Sequence, residues 1–113
     1  KSFFSSVERL CKQIQDSGAV PVLYATWAYQ KDSPKLAAKG WDYDEMNRAL
    51  SEAYHQAAQK NRALLADVGL HFYKLSHTQQ LYAKDGVHPT QAGSRIAAQV
   101  IASTIQTYEE KRL

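Results

Sequence analysis

The chain has 113 residues, of which 44% are apolar and 22% charged, and it carries a formal net charge of +3. That length suits one small domain or part of a larger one, and the composition argues against global disorder. Lysines and arginines are scattered among acids and apolar residues, which speaks against a nucleic-acid partner, and no apolar run approaches the ~20 residues of a membrane span.

From Ser5 to about Ser17 the apolar residues Val7, Leu10, Cys11 and Ile14 recur at helical spacing and predict a helix with one buried stripe. Asp16, Ser17 and Gly18 end it, with Gly18 suited to a left-handed position after the last turn. Cys11 is the single cysteine. It has no partner for a disulfide or a cysteine-based metal site, and it reads as a small buried hydrophobe. The run from Ala19 to Thr26 is short, mostly apolar and rich in strand formers, as in a strand covered on both faces of a parallel sheet. Pro21 cannot donate to a ladder and is tolerable only near the start of that strand.

Residues 27–42 form a long connection containing Pro34 and Gly40, of a length usually kept for functional or mobile segments. A second helix is expected from about Tyr43 to Ala63, capped by Asp42 or Asp44, with a stripe of Met46, Leu50, Ala53, Tyr54 and Ala57. Residues 64–68 read as a second strand. His71 to Leu75 is open between a short helix and an extended piece. A last helix is expected from about Gln91 to Tyr108, with Thr90 as its N-cap.

Strands alternating with helices imply an α/β fold with a parallel sheet. Two strands make a poor sheet, so the chain is expected to be a piece of a doubly wound domain. The strand at 20–26 should then have an open edge, free to pair with an N-terminal segment or with a second copy.

One loop carries chemistry. Asp85 and His88 stand three residues apart, just before a helix, in the run Asp85-Gly86-Val87-His88-Pro89-Thr90. A hydrolytic base needs an imidazole with one nitrogen facing the nucleophile and the other held by an acceptor that sets the tautomer. Asp85 is placed to be that acceptor. Gly86 permits the turn, Pro89 fixes the backbone after the histidine, and Gly93 lets the first helical turn pack closely. The plain alternative is a turn followed by a helix start, since Asp-Gly and Pro-Thr are common there.

Residues 85–93, followed by an alanine-rich apolar helix, resemble the last conserved block of the SGNH (GDSL-type) serine hydrolases. The resemblance implies a flavodoxin-like three-layer parallel-sheet fold, of which about two strands and three helices would be present. Residues 1–113 would then be the C-terminal segment of a single such domain. It also implies that Asp85 and His88 are the acid and base of a catalytic triad. The family's Gly-Asp-Ser nucleophile block and its oxyanion-hole Gly and Asn blocks have no counterpart in this sequence. Ser94 is better read as a residue of the first helical turn, and no Gly-x-Ser-x-Gly elbow offers a substitute. The expectation is a fragment of an acyl or acetyl esterase, carbohydrate-directed in one version, inactive alone. The alternative is a non-catalytic assembly module that pairs through its open strand edge.

Trp27, Tyr29 and Trp41, with Tyr43, flank the long connection. They could line a substrate pocket or pack the loop onto the sheet. His55, His71 and His77 have no shared metal-ligand spacing, and neither metal nor cofactor is expected. The expected partners are a small-molecule or carbohydrate ester in the parent protein and a chain paired along 20–26, with no nucleic acid and no membrane. The chain begins at Lys1 and shows no signal peptide. A leader or upstream segment is left open, and with it the compartment, a secreted or periplasmic bacterial setting being the one kept in view.

Overall fold

A computed structural model describes residues 2–112. The elements in chain order are α1 (Phe3–Asp16), β1 (Val22–Tyr24), α2 (Pro34–Lys39), α3 (Tyr43–Lys60), β2 (Leu64–Ala66), α4 (Val68–Leu75) and α5 (Gln91–Arg112). The fold class is α/β, as expected, but the described residues form five helices where about three were expected.

The two strands are parallel, with Val22 opposite Leu64, Leu23 opposite Leu65 and Tyr24 opposite Ala66. The ladder extends by one bond at each end, Leu64 N donating to Pro21 O and Ala25 N to Ala66 O. Pro21 therefore contributes only its carbonyl, the one backbone group it can offer. α3 and α5 both pack on β2, and α4 touches both helices.

The two additional helices have different causes, local for α2 and tertiary for α4. Ser33 caps α2 by accepting from Lys35 N, Pro34 opens it, and Gly40 closes it in the left-handed region at φ 68°. These signals lie inside the long connection of residues 27–42. The second strand stops at Ala66, two residues short of expectation, and α4 starts at Val68. Gly69 makes that sharp entry possible. Its N–H bonds Ala25 O at 2.9 Å, and a Cβ there would run into the Thr26 carbonyl.

The core is centred on α4 and α5 rather than on the sheet. Val68, Phe72, Leu81, Tyr82 and Ala97 form a buried cluster, with Trp27, Leu75, Ala92, Ile96, Val100 and Ile101 packed against it. α1 departs from expectation. Cys11 is buried and Val7 half-buried, but Leu10 is 52% exposed and Ile14 is also exposed. The helical period was read correctly, but Leu10 and Ile14 on the stripe are left exposed. The radius of gyration of the described residues is 15.2 Å, against roughly 13 Å for a compact chain of this length.

Candidate active site

The chain from Leu81 to Thr90 is pinched into a closed loop. Tyr82 and Pro89 form an isolated antiparallel bridge, Ala83 N donates to His88 O at 2.7 Å, and Thr90 N donates to Leu81 O at 2.9 Å. Thr90 then caps α5 by accepting from Gly93 N at 3.1 Å. Gly93 is needed here, because a Cβ would meet Leu81 O at 2.5 Å and Phe72 Cζ at 3.0 Å. The turn at the tip requires Gly86, which has φ 70° and no room for a side chain beside Ser33.

Within this loop Asp85 and His88 meet. His88 Nδ1 lies 2.5 Å from Asp85 Oδ2, and Asp85 Oδ1 accepts from both Val87 N and His88 N at 2.9 Å. An ionised carboxylate only accepts, so Nδ1 carries a proton, and in the neutral imidazole the lone pair is then on Nε2. The imidazole is 76% exposed and Asp85 41% exposed. Nε2 makes no hydrogen bond among the described residues. The arrangement can take a proton at Nε2 and stabilise the resulting imidazolium through Asp85.

The bond from the His88 side chain, then the backbone N–H groups of His88 and Val87, hold the Asp85 carboxyl well below its ordinary value of 3.8. A depressed folded value stabilises the loop at pH above the ordinary carboxylate range and is lost as pH falls through the folded value. Carboxyl carbon NMR of Asp85 should accordingly show a midpoint clearly below 3.8, with the loop's amide shifts moving at the same low pH. A midpoint at the ordinary value would mean that the carboxylate is not held.

The loop is braced from the connection after β1. Gln30 N donates to Gly86 O at 2.8 Å, Trp27 Nε1 donates to Val87 O at 2.7 Å, and the buried Tyr82 hydroxyl donates to Ala28 O at 2.7 Å. Burial pushes the Tyr82 phenol far up, so it remains a donor. Tyr82 was not foreseen as a support, since residues 76–84 carry no periodic pattern.

The aromatic candidates separate. Trp27 is half-buried and stacked on Phe72, with centroids 4.1 Å apart and planes at 7°. It packs the loop. Tyr29 is half-buried. Trp41 is exposed, lies under Lys39 Nζ, and lines a groove of about 440 Å³ with Glu45, Met46, Ala49 and Leu50, none of which belongs to the Asp85–His88 loop. Tyr43 stacks with Tyr73 beside Ser76.

No described serine takes the nucleophile's place. Ser33 touches the loop but is buried and committed to capping α2. Ser94 sits in the first turn of α5, its N–H bonded to Thr90 O. His55 and His71 both bond Asp67, one at its carboxylate and one at its carbonyl, and no group of three metal-ligating side chains forms among the described residues.

No protein-family model and no curated protein matches the chain. Among solved structures it is similar to one described as "a putative SGNH hydrolase from Slackia heliotrinireducens", with 45% sequence identity and a TM-score of 0.86. The match covers 91% of this chain and 55% of that one, so the chain spans little more than half the length of the protein it resembles.

Proposed function

We propose, from a chain built as part of an SGNH-type hydrolase fold, that Asp85 and His88 are the orienting acid and the general base of a serine ester hydrolase. The nucleophile and the oxyanion donors would come from residues outside these 113. The reading rests on one observation above all, the 2.5 Å bond between Asp85 Oδ2 and His88 Nδ1, with the second carboxylate oxygen fixed by two backbone N–H groups. His88 would take the proton of a serine hydroxyl as it attacks the ester carbonyl, then return it to the leaving alkoxide. Asp85 would hold the imidazolium in between. The substrate class is an acyl or acetyl ester, with a carbohydrate alcohol as one version.

The test uses a chimera. The chain is joined to the portion of the Slackia heliotrinireducens protein that it does not span, and hydrolysis of p-nitrophenyl acetate is followed. Turnover that depends on His88 supports the reading, and a folded chimera with turnover indifferent to His88 overturns it. The 113-residue chain alone should show no turnover above its own His88→Ala variant.

A second reading, assembly through the open side of β1, has its own observation. Among the described residues β1 pairs only with β2, and Val20 and Tyr24 are 43% and 40% exposed. An apolar strand edge of this kind is a template for another strand. On this reading, sedimentation equilibrium at micromolar concentration yields a dimer that dissociates on Tyr24→Lys. A monodisperse monomer would contradict it.

A further inference from the structure

Three carbonyls of the catalytic loop are gripped, and they are gripped differently. Gly86 O and His88 O accept from the backbone N–H groups of Gln30 and Ala83. Any non-proline residues could make those two bonds. Val87 O accepts from a side chain, the Trp27 indole, across 60 positions of sequence. The peptide unit that begins at this carbonyl ends at the His88 N–H, which donates to Asp85 Oδ1 at 2.9 Å. A peptide is planar, with its carbonyl and N–H on opposite sides. Trp27 and Asp85 therefore hold one plate by its two edges, and the His88 side chain hangs from the residue at its end.

We propose that Trp27 is a positioning residue for His88: its indole N–H sets the tilt of the Val87–His88 peptide and thereby the alignment of the Asp85 carboxylate with the imidazole. The inference rests on reading His88 as the base. Tryptophan suits the task because its N–H is a donor on a rigid plate that can be clamped by stacking. The clamp is Phe72, fully buried, with its ring stacked 4.1 Å away and nearly parallel. If the donor is lost, the plate can rotate. Asp85 Oδ1 then loses the His88 N–H, and the carboxylate no longer faces Nδ1 squarely. Trp27 thus has a role apart from substrate contact, and Tyr29 and Trp41 do not share it.

The readout is the tautomer of His88, measured on the full 113-residue chain by the ring nitrogen shifts of the neutral imidazole. It needs no ester, so its failure is separate from failure of the hydrolase reading. In the parent chain the Nδ1–H form should dominate. Trp27→Phe keeps a ring on Phe72 and removes the donor, and the ratio of Nδ1–H to Nε2–H should fall about tenfold, the scale of one lost hydrogen bond. A purely structural role would lower the melting temperature and leave the ratio unchanged. A folded Trp27→Phe chain with the parent ratio overturns the proposal. Should Trp27→Phe fail to fold, benzothienylalanine at position 27, which replaces the N–H by sulfur in the same shape, decides the matter: a lowered ratio supports the proposal and an unchanged one overturns it.

Discussion

On the proposed reading, His88→Ala in a chimera assayed with p-nitrophenyl acetate should lower kcat by about ten-thousandfold or more and leave KM within a few-fold, because a triad base acts in the transition state and not in ground-state binding. Asp85→Asn should cost about ten-thousandfold as well, although it disturbs far less. An asparagine oxygen can still accept from Val87 N and His88 N, the two bonds now made by Asp85 Oδ1 at 2.9 Å. The loop should therefore keep its shape. What is lost is the charge opposite the imidazolium and the preference for a proton on Nδ1, since an amide whose oxygen stays on the two N–H groups presents its NH2, a donor, to that nitrogen. A ten-thousandfold loss is about 5.5 kcal/mol of transition-state stabilisation. Ser94→Ala is the control and should leave the rate unchanged, because Ser94 belongs to the first turn of α5. If Asp85→Asn stays within tenfold of the parent, the dyad reading fails even with the geometry in place.

The shape of the loop was legible in the sequence because its requirements fall on single residue types, even where, as at Gly93, the neighbour that imposes them is distant. Gly86 needs a left-handed backbone, Gly93 needs the absence of a Cβ, and Thr90 needs only its own hydroxyl to cap the helix. Each requirement selects a residue type at a fixed offset, so the residues themselves carry the signal. Whether Trp27 would line a pocket or brace the loop was not legible. That depended on Val87, 60 residues away, and on Phe72, in a segment with no clear period. The short helix α2 was hidden, and α4 was open between helix and extended chain over His71 to Leu75, for different reasons. α2 had readable caps at Ser33 and Gly40 but only one buried residue, Leu36, too few to make a pattern. α4 lacks a side-chain cap at Asp67, and its start is set by Gly69 passing the Thr26 carbonyl, a tertiary contact. The exposed stripe of α1 shows the same limit from the other side. Periodicity reports which face of a helix is apolar, not whether anything covers it.

Phe72→Ala should destabilise the chain by about 3–5 kcal/mol, the range for a large aromatic removed from a core. Phe72 is fully buried in α4 and joins three parts of the molecule. It stacks on Trp27 at 4.1 Å, meets the edge of Tyr82 at 5.5 Å, and lies against Gly93 at the entry to α5. Its neighbours cannot easily collapse into the space. Trp27 is tied to Val87, Tyr82 to Ala28, and the first turn of α5 to Thr90. The cavity term should therefore sit at the high end of the range. A whole domain has about 5–15 kcal/mol in all, and the core here draws little from the two-stranded sheet, so the loss is a large share of what holds the chain together. Urea unfolding followed by circular dichroism measures it, and Phe72→Leu should cost about half as much or less. The same experiment tests the link between packing and site. If the loop is braced through Trp27 and Tyr82, the Asp85–His88 bond should break at the urea concentration where the core melts. A bond that outlasts the core would mean that residues 81–90 hold their shape by their own turn, bridge and cap alone.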